Sequence, residues 1–323
     1  MTASDTRDLE RRRIPGTELS SSVLGLSIEA DRLGPPASDD RWIRLLRTAR
    51  TRGVNTFALP AGAGAARAER LLAAALPTED PDCVVLAPRS FSSLAESSAR
   101  SSSAPDVDFE AGLRRSLEAS NRRLSPQHVG LLEWRLEPVG GPSLPDAVSA
   151  FERLRSQAVV TAWVLALAPG APPSEPSFED SSARTSLYSG ALSILEPRET
   201  GALAERAAAP GPFGFFARDP LGGGRLDGSR FVASMADRRP DAPPVPVREL
   251  RLEFDPVLRL GFLTAGRPRT LAQSALQFLY RWPWVCSALV PLPSPERLPE
   301  LLRAATTPAL TDSEVARILH GPE

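Results

Sequence analysis

Three arginines each end an apolar run that is typical of a buried β-strand. Arg89 ends VVLAPR, Arg135 ends GLLEWR and Arg218 ends GFFAR. Arginine presents a planar set of N–H donors that matches a carboxylate, so converging guanidinium groups would form an anion site. Alternatively, these arginines lie at the surface of a chain that uses arginine for every cation. The pattern alone leaves both interpretations open.

All 38 basic residues are arginine, and the sequence contains no lysine. A guanidinium group stays protonated at every working pH, whereas a lysine amine can lose its proton. Mechanisms that need a deprotonated amine are therefore excluded. Asp219 and Glu133 are candidate carboxylates beside the arginines, but they do not form a matched acid–base pair.

Signals for other kinds of site are weak. The two histidines, His128 and His320, are far apart in the sequence, and no Cys/His spacing is typical of zinc. The glycines at 222–224 follow the wrong strand for a dinucleotide-binding fingerprint and are interpreted as a flexible turn. We therefore expect no metal ion.

Length and composition indicate a globular protein with a large core. The chain has 323 residues, 42% of them hydrophobic, and a net charge of −1, which gives no bulk attraction to nucleic acid or membrane. No stretch approaches about 20 uninterrupted apolar residues, and the N-terminal residues lack the apolar core of a signal peptide. We therefore expect a cytoplasmic protein. Cys83 and Cys286 lie in apolar runs and are predicted to be buried free thiols.

Strand-like and helix-like patterns alternate along nearly the whole chain. The predicted strands are 23–26, 54–57, 83–87, 128–136, 159–167, 187–195, 213–217 and 285–291. Amphipathic patterns such as 109–124 and 270–280 separate them. This alternation predicts an α/β fold in which a parallel sheet closes as a (β/α)8 TIM barrel, in one domain over residues 1–323. The Pro- and Ser-rich segment 169–184 predicts a shortened or irregular region after strand five.

Three stretches resemble the aldo-keto reductases. VNTFALPAGAGAARAERLL, from Val54 to Leu72, aligns without a gap with the family pattern V-N-T-F-D-T-A-P-x-Y-G-x-G-R-x-E-R-L-L. PLGGGRLDG (220–228) resembles P-L-x-x-G-x-L-T-G, and TLAQSALQFLY (270–280) resembles T-x-A-Q-x-A-L-x-W-L. Residues 13–22 resemble the N-terminal β-hairpin that closes the bottom of this family's barrel. The resemblance implies a barrel of aldo-keto reductase type.

The family's Asp–Tyr–Lys–His catalytic set is replaced at every position. The resemblance places the Asp at Ala58, the Tyr at Ala63, the Lys at Arg89 and the His at Arg135. Alanine has no proton to donate, and arginine cannot relay one. The positions that hold the nicotinamide cofactor in the family also differ here; they fall near Ala166, Leu167, Ser189, Arg218, Asp219 and Leu292. We therefore expect neither the family's catalytic residues nor a cofactor.

These replacements lead to the expectation of a pseudoenzyme, a protein that is not an enzyme and acts in binding or as a scaffold. Its expected partner is an acidic peptide or protein segment held by Arg89, Arg135 and Arg218, for instance a precursor peptide in natural-product biosynthesis. Nucleic acid, membrane and nicotinamide cofactor are not expected as partners. The alternatives are an enzyme repurposed for non-redox chemistry at the barrel mouth, or a weak residual NADPH-dependent reductase.

Overall fold

Eight parallel strands close into a barrel in the computed structural model, which describes residues 9–77, 80–94, 109–136, 142–167, 186–230 and 247–321. The order around the barrel follows the chain, and the last strand pairs in parallel with the first. The strands are β3 (Leu24–Ser27), β4 (Thr56–Ala58), β5 (Val84–Arg89), β6 (Leu131–Arg135), β7 (Ala162–Ala166), β8 (Leu187–Ala191), β9 (Gly214–Arg218) and β10 (Val285–Pro291). The predicted (β/α)8 barrel is confirmed.

An antiparallel hairpin precedes the barrel, formed by β1 (Arg11–Arg13) and β2 (Ser20–Ser22). Between these strands, Ile14 and Leu19 pack against side chains inside the barrel. The Ser21 hydroxyl donates a hydrogen bond of 2.8 Å to the carbonyl of Cys286, which ties the hairpin to β10. The predicted N-terminal β-hairpin is confirmed.

Helices of the described residues pack on the outside of the barrel. They are α1 (Asp39–Thr51), α2 (Ala65–Ala75), α3 (Phe109–Leu124), α4 (Leu144–Ser156), α5 (Pro197–Ala208), α6 (Val247–Leu258), α7 (Leu271–Tyr280), α8 (Leu298–Arg303) and α9 (Asp312–His320). A capping box starts α7: the Thr270 hydroxyl accepts from the Gln273 amide at 3.2 Å, and the Gln273 side chain accepts from the Thr270 amide at 3.0 Å. These bonds satisfy amides that the helix itself cannot pair.

Side chains along each strand alternate between the inside of the barrel and the helix layer. On β5, Val84 and Leu86 belong to the inner cluster, whereas Val85 and Ala87 pack with the helices. This alternation follows from the pleat of the strand. It places the last residue of β5, Arg89, on the helix side of the barrel wall.

Other expectations have mixed outcomes. The irregular region predicted for 169–184 lies outside the described residues. Cys83 and Cys286 are free and buried, as predicted. Among the helices of the described ranges, none has the length and apolar character needed to cross a membrane.

Candidate functional site

The carboxyl ends of β3–β10, with the loops that follow them, form one face of the barrel, which we call the mouth. Working residues of (β/α)8 barrels come from this face. Ala58 ends β4 and is fully buried, and Ala63 lies exposed in the short 3₁₀ turn Gly62–Gly64. Arg89, Arg135 and Arg218 end β5, β6 and β9, so the sequence placed all three at strand ends correctly.

Arg218 points into the barrel and pairs with Glu133 of β6. Its Nε donates to Glu133 Oε1 at 2.7 Å, and its Nη2 donates to Oε2. The Ser189 hydroxyl of β8 donates to the same Oε1. The Glu133 side chain is 0% exposed and that of Arg218 is 19% exposed. The guanidinium expected to hold a ligand is therefore bound to a carboxylate of the protein itself.

The environment of Glu133 keeps its carboxyl ionised. Burial alone would raise the pKa of Glu133, but the charge and hydrogen bond of Arg218, together with Ser189, outweigh burial and hold the pKa below its usual value. The charge of Arg135 lowers the pKa further. That effect indicates that Arg135 lies near the pair. Arg135 is exposed at the end of β6, at the mouth. Arg135 and Arg218 do share one region.

Arg89 does not join them. It lies behind the barrel wall, where its Nε donates to Ser116 Oγ at 2.8 Å and its Nη2 donates to Ser120 Oγ at 2.5 Å. Both serines are on α3. The cause is the pleat of β5, which turns the last side chain of that strand toward the helices. The structure therefore does not bring Arg89, Arg135 and Arg218 to one point.

A cavity of about 850 Å³ opens at the mouth between the loops that follow β9 and β10. We call it the mouth pocket. Its apolar wall includes Leu221, Val290 and Leu292, and its charged lining residues are Arg32, Asp219, Asp227 and Arg297. Arg297 spans two loops, because its Nη2 donates to the Asp227 carbonyl at 2.7 Å and its Nη1 contacts Glu300 at 2.8 Å. Two guanidinium groups and two carboxylates thus line an otherwise largely apolar cavity.

Three carboxyl groups at the mouth have raised pKa values. Burial is the largest cause of the raised pKa of Glu29, Glu196 and Asp219, which lie in the loops after β3, β8 and β9. The charge of Asp219 also raises the pKa of both Glu29 and Glu196, so each of these two carboxyls lies near Asp219. Within the described residues, no set of three His, Cys, Asp or Glu side chains is arranged to hold a metal ion. Raised carboxyl pKa values in a cleft are typical of acid–base sites.

Several positions that the resemblance assigns to a nicotinamide cofactor make other contacts here. Ser189 and Arg218 both bond to Glu133 inside the barrel. Asp219 and Asp227 add two carboxylates to the mouth pocket and offset the charges of Arg32 and Arg297, so its lining carries no excess positive charge for a multiply charged pyrophosphate. The residues present do not fit a dinucleotide as those of the family pattern do, and no hydride-transfer step follows from them.

Sequence reasoning missed part of this site. Arg32, Glu29 and Glu196 follow strand ends but belong to no motif, and Arg297 lies beyond the last strand. Their positions in the sequence could have identified them. Glu29, Arg32 and Glu196 come within a few residues of the end of an apolar strand, and Arg297 lies between the last strand and the helix that follows it. Of the two candidate carboxylates named from the sequence, Asp219 lines the mouth pocket, whereas Glu133 is fully buried inside the barrel against Arg218.

Comparisons with known proteins give a fold and no closer relative. No family model and no curated protein matches the chain. The holo form of aldo-keto reductase AKR11C1 from Bacillus halodurans matches with a TM-score of 0.68 and 18% identity, covering 98% of this chain and 97% of that one. The thermostable aldo-keto reductase Tm1743, in complex with the inhibitor epalrestat, matches with a TM-score of 0.70 and 18% identity, covering 97% and 100%.

These matches overturn the expectation that the chain is not an enzyme. The proteins that share its barrel over nearly the full length are aldo-keto reductases, which are enzymes. Replacement of the Asp, Tyr, Lys and His positions removes one set of groups, and it does not exclude catalysis by the carboxyls of the mouth. At this low identity the comparison establishes the fold alone, and the chain has a barrel fold similar to that of the aldo-keto reductases.

Proposed function

We propose that this barrel is an enzyme that binds a carboxylate-bearing peptide segment in the mouth pocket and transfers a proton with Asp219. The observation that carries the proposal is the position of Asp219. Its side chain lines the pocket that Arg32 also lines, and burial raises its pKa. A carboxyl with a raised pKa holds its proton closer to neutral pH, as a general acid or base requires.

The lining of the mouth pocket suits a peptide segment. Leu221, Val290 and Leu292 offer an apolar wall for a side chain. Arg32 and Arg297 line the same cavity, and each already contacts one carboxylate of the protein, Glu29 at 2.6 Å and Glu300 at 2.8 Å. In this proposal their remaining N–H donors bind the carboxylate of the ligand. The cavity volume of about 850 Å³ falls in the usual range of ligand sites. In this proposal Arg32 and Arg297 take the roles that the sequence assigned to Arg89 and Arg218.

The backbone at Asp219 supports a role in chemistry. Asp219 has φ 52°, in the left-handed region that side chains other than glycine seldom adopt. One carboxyl oxygen, Oδ1, accepts a hydrogen bond of 2.6 Å from the Gly223 amide. That bond fixes the side chain and leaves Oδ2 as the atom we assign to the proton.

Binding is tested with short fluorescent peptides, each acidic sequence paired with its Gln/Asn counterpart, by anisotropy. Arg32→Gln and Arg297→Gln should each weaken binding of the acidic peptides by about 1–3 kcal/mol, the cost of removing one partner of a charged hydrogen bond. Arg44→Gln is the matched control, because Arg44 lies on the exposed face of α1 away from this pocket. Equal affinity for acidic and amide peptides, or two unchanged variants, would refute the ligand assignment.

Chemistry is tested by incubating bound peptides with the protein and following their masses and proton exchange. Asp219→Asn is the informative variant, because asparagine tolerates the left-handed backbone and can still accept from Gly223. It should keep peptide binding and lose turnover by roughly 10²–10⁴-fold, the usual contribution of a general acid or base. Turnover that survives in Asp219→Asn would assign the proton to another group.

A further inference from the structure

A second cavity, of about 320 Å³, lies between α2 and α3, behind the barrel wall. We call it the helix pocket. Its polar lining residues are Glu69, Arg89, Ser93, Ser116, Ser120 and Arg123. It shares no lining residue with the mouth pocket, so its ligand can be considered separately from the proposed function.

The charged groups of the helix pocket do not balance. Glu69 is fully buried, and both of its oxygens are engaged: Oε1 accepts from the Ser120 hydroxyl at 2.5 Å, and Oε2 accepts from Arg123 Nε. Two guanidinium groups therefore face one carboxylate, and that carboxylate is already paired with Arg123. The pocket lining carries an excess positive charge.

Arg89 is the source of this excess. Its side chain is buried, and its contacts are neutral oxygens: the hydroxyls of Ser116 and Ser120 and the carbonyl of Pro88, the last at 2.9 Å. Within the part of the chain that the structure describes, these bonds use three of the five guanidinium N–H donors. Burial is the first cause that lowers the pKa of Arg89, and the charge of Glu69 opposes it. A buried cation with spare donors favours an anion beside it.

The amino end of α2 faces the same cavity. Ala65 and Ala66, in the first turn of this helix of 11 residues, line the pocket together with Gly62 and Ala63. No side chain caps the start of α2, and its first turn contains no acidic residue. The Ala65 amide donates to the carbonyl of Gly62 in the preceding turn. The amides that follow it in the first turn of α2, with the positive end of the helix dipole, add to the field of Arg89 and Arg123.

We propose that the helix pocket binds a phosphate group, either as inorganic phosphate or as part of a small phosphorylated molecule. Arg89 and Arg123 contribute charge from the barrel and α3 sides, and the α2 amides contribute donors from the third side. A doubly charged, tetrahedral oxyanion uses donors from several directions, as phosphates do at helix amino ends beside arginine. A carboxylate would equal the net charge of Arg89, Arg123 and Glu69, but its two oxygens lie in one plane and reach fewer of the donors that surround this pocket.

The test titrates inorganic phosphate, glycerol phosphate and acetate into the full chain at constant ionic strength, by calorimetry and ³¹P NMR. Saturable binding of one phosphate group per chain is expected, with acetate at least tenfold weaker. The tighter of the two phosphorus ligands identifies the source. Linear, non-saturating heats for both would overturn the proposal.

Two variants locate the site. Arg89→Gln should weaken phosphate binding at least tenfold, and Ala66→Asp should abolish it by placing a carboxylate at the α2 amino end. Aspartate in a first helical turn stabilises the helix, so Ala66→Asp remains informative even where Arg89→Gln fails to fold. Arg44→Gln and Arg32→Gln are controls, and both should bind phosphate as the wild type does. Wild-type affinity in Ala66→Asp, or a loss confined to Arg32→Gln, would refute the assignment to this pocket.

Discussion

The buried pair of Glu133 and Arg218 allows a quantitative prediction. Arg218→Met keeps most of the side-chain volume and removes the charge, so it leaves the fully buried Glu133 carboxylate with Ser189 as a hydrogen-bond donor. Removing one partner of a buried pair typically costs about 3–5 kcal/mol. We expect the free energy of unfolding at pH 7 to fall by about 3–4 kcal/mol, the lower part of that range, because Glu133 can also take up a proton.

Protonation of Glu133 limits how much stability Arg218→Met can lose, and it makes that loss depend on pH. In Arg218→Met the Glu133 carboxyl can take up a proton, which at pH 7 costs about 3.7 kcal/mol for a group of ordinary pKa about 4.3. That cost falls by about 1.36 kcal/mol for each pH unit below 7. The difference in free energy of unfolding between the wild type and Arg218→Met should therefore shrink to about 1 kcal/mol near pH 5. In the wild type the pKa of Glu133 is lowered, so the contribution of this group to stability depends on pH in the opposite direction. Its stabilising contribution is present above the unfolded pKa and is lost as the pH falls through the folded pKa.

Urea unfolding followed by tryptophan fluorescence and circular dichroism measures these differences at pH 5, 6 and 7. Arg44→Met, on the exposed face of α1, is the control and should change stability by no more than about 0.5 kcal/mol. Replacing both partners, Glu133→Leu with Arg218→Met, should recover most of the loss, because no buried charge remains. A loss below about 1 kcal/mol at pH 7, or one that does not shrink toward pH 5, would show that the pair is not a buried ion pair.

The remaining predictions concern cofactor, thiols and a helix cap. NADPH should bind more weakly than about 10 μM, because Arg218 is bonded inside the barrel and Asp219 adds a carboxylate to the pocket; fluorescence titration giving tighter binding would contradict this reading. Cys83 and Cys286 should not react with dithionitrobenzoate until the protein is denatured, because both are buried and burial raises the pKa of Cys286 to about 12; a native thiol signal would argue against it. Thr270→Ala should lower the free energy of unfolding by about 1 kcal/mol through loss of the capping box of α7; an unchanged urea midpoint would mean that the cap is replaced by solvent.

The fold was predictable because its signals are local. Apolar runs such as Val84–Ala87 alternate with amphipathic helices such as Phe109–Leu124, and this alternation is enough to indicate a parallel barrel. Strand ends were predictable for the same reason. Arg89, Arg135 and Arg218 all end strands, because a charge marks where an apolar run stops.

The direction of those arginines was not predictable. Strands covered on both faces are apolar at every position, so the sequence of β5 does not show which face is the inside of the barrel. The facing of Arg89 toward α3 follows only once Val84 and Leu86 are known to point inward. The partner of Arg218 was equally hidden, because Glu133 lies 85 residues earlier and is brought near by strand order around the barrel.

The composition of the chain limits which groups can exchange protons at the mouth. The sequence has two histidines, two tyrosines, two cysteines and no lysine. His128 precedes β6 on the amino side, and His320 ends α9, so neither lies at a strand's carboxyl end. Tyr280 ends α7 and Tyr188 packs toward the helix layer, and burial raises the pKa of both. Cysteines are excluded as well, since both lie near the amino ends of their strands.

Proton transfer at the mouth therefore has to pass through carboxyl groups. An ordinary exposed carboxylate is a poor general acid at neutral pH, because its pKa lies near 4. Burial raises the pKa of Asp219, Glu29 and Glu196, and the charge of Asp219 also raises the pKa of Glu29 and Glu196. An upward shift of the pKa is the direction that a general acid at neutral pH requires. In the proposed function, the fixed charges of nearby arginines would hold a carboxylate ligand without competing for its protons. These three groups are therefore the candidates for the proposed acid–base chemistry in a barrel that has alanine at the positions of the family pattern's aspartate and tyrosine.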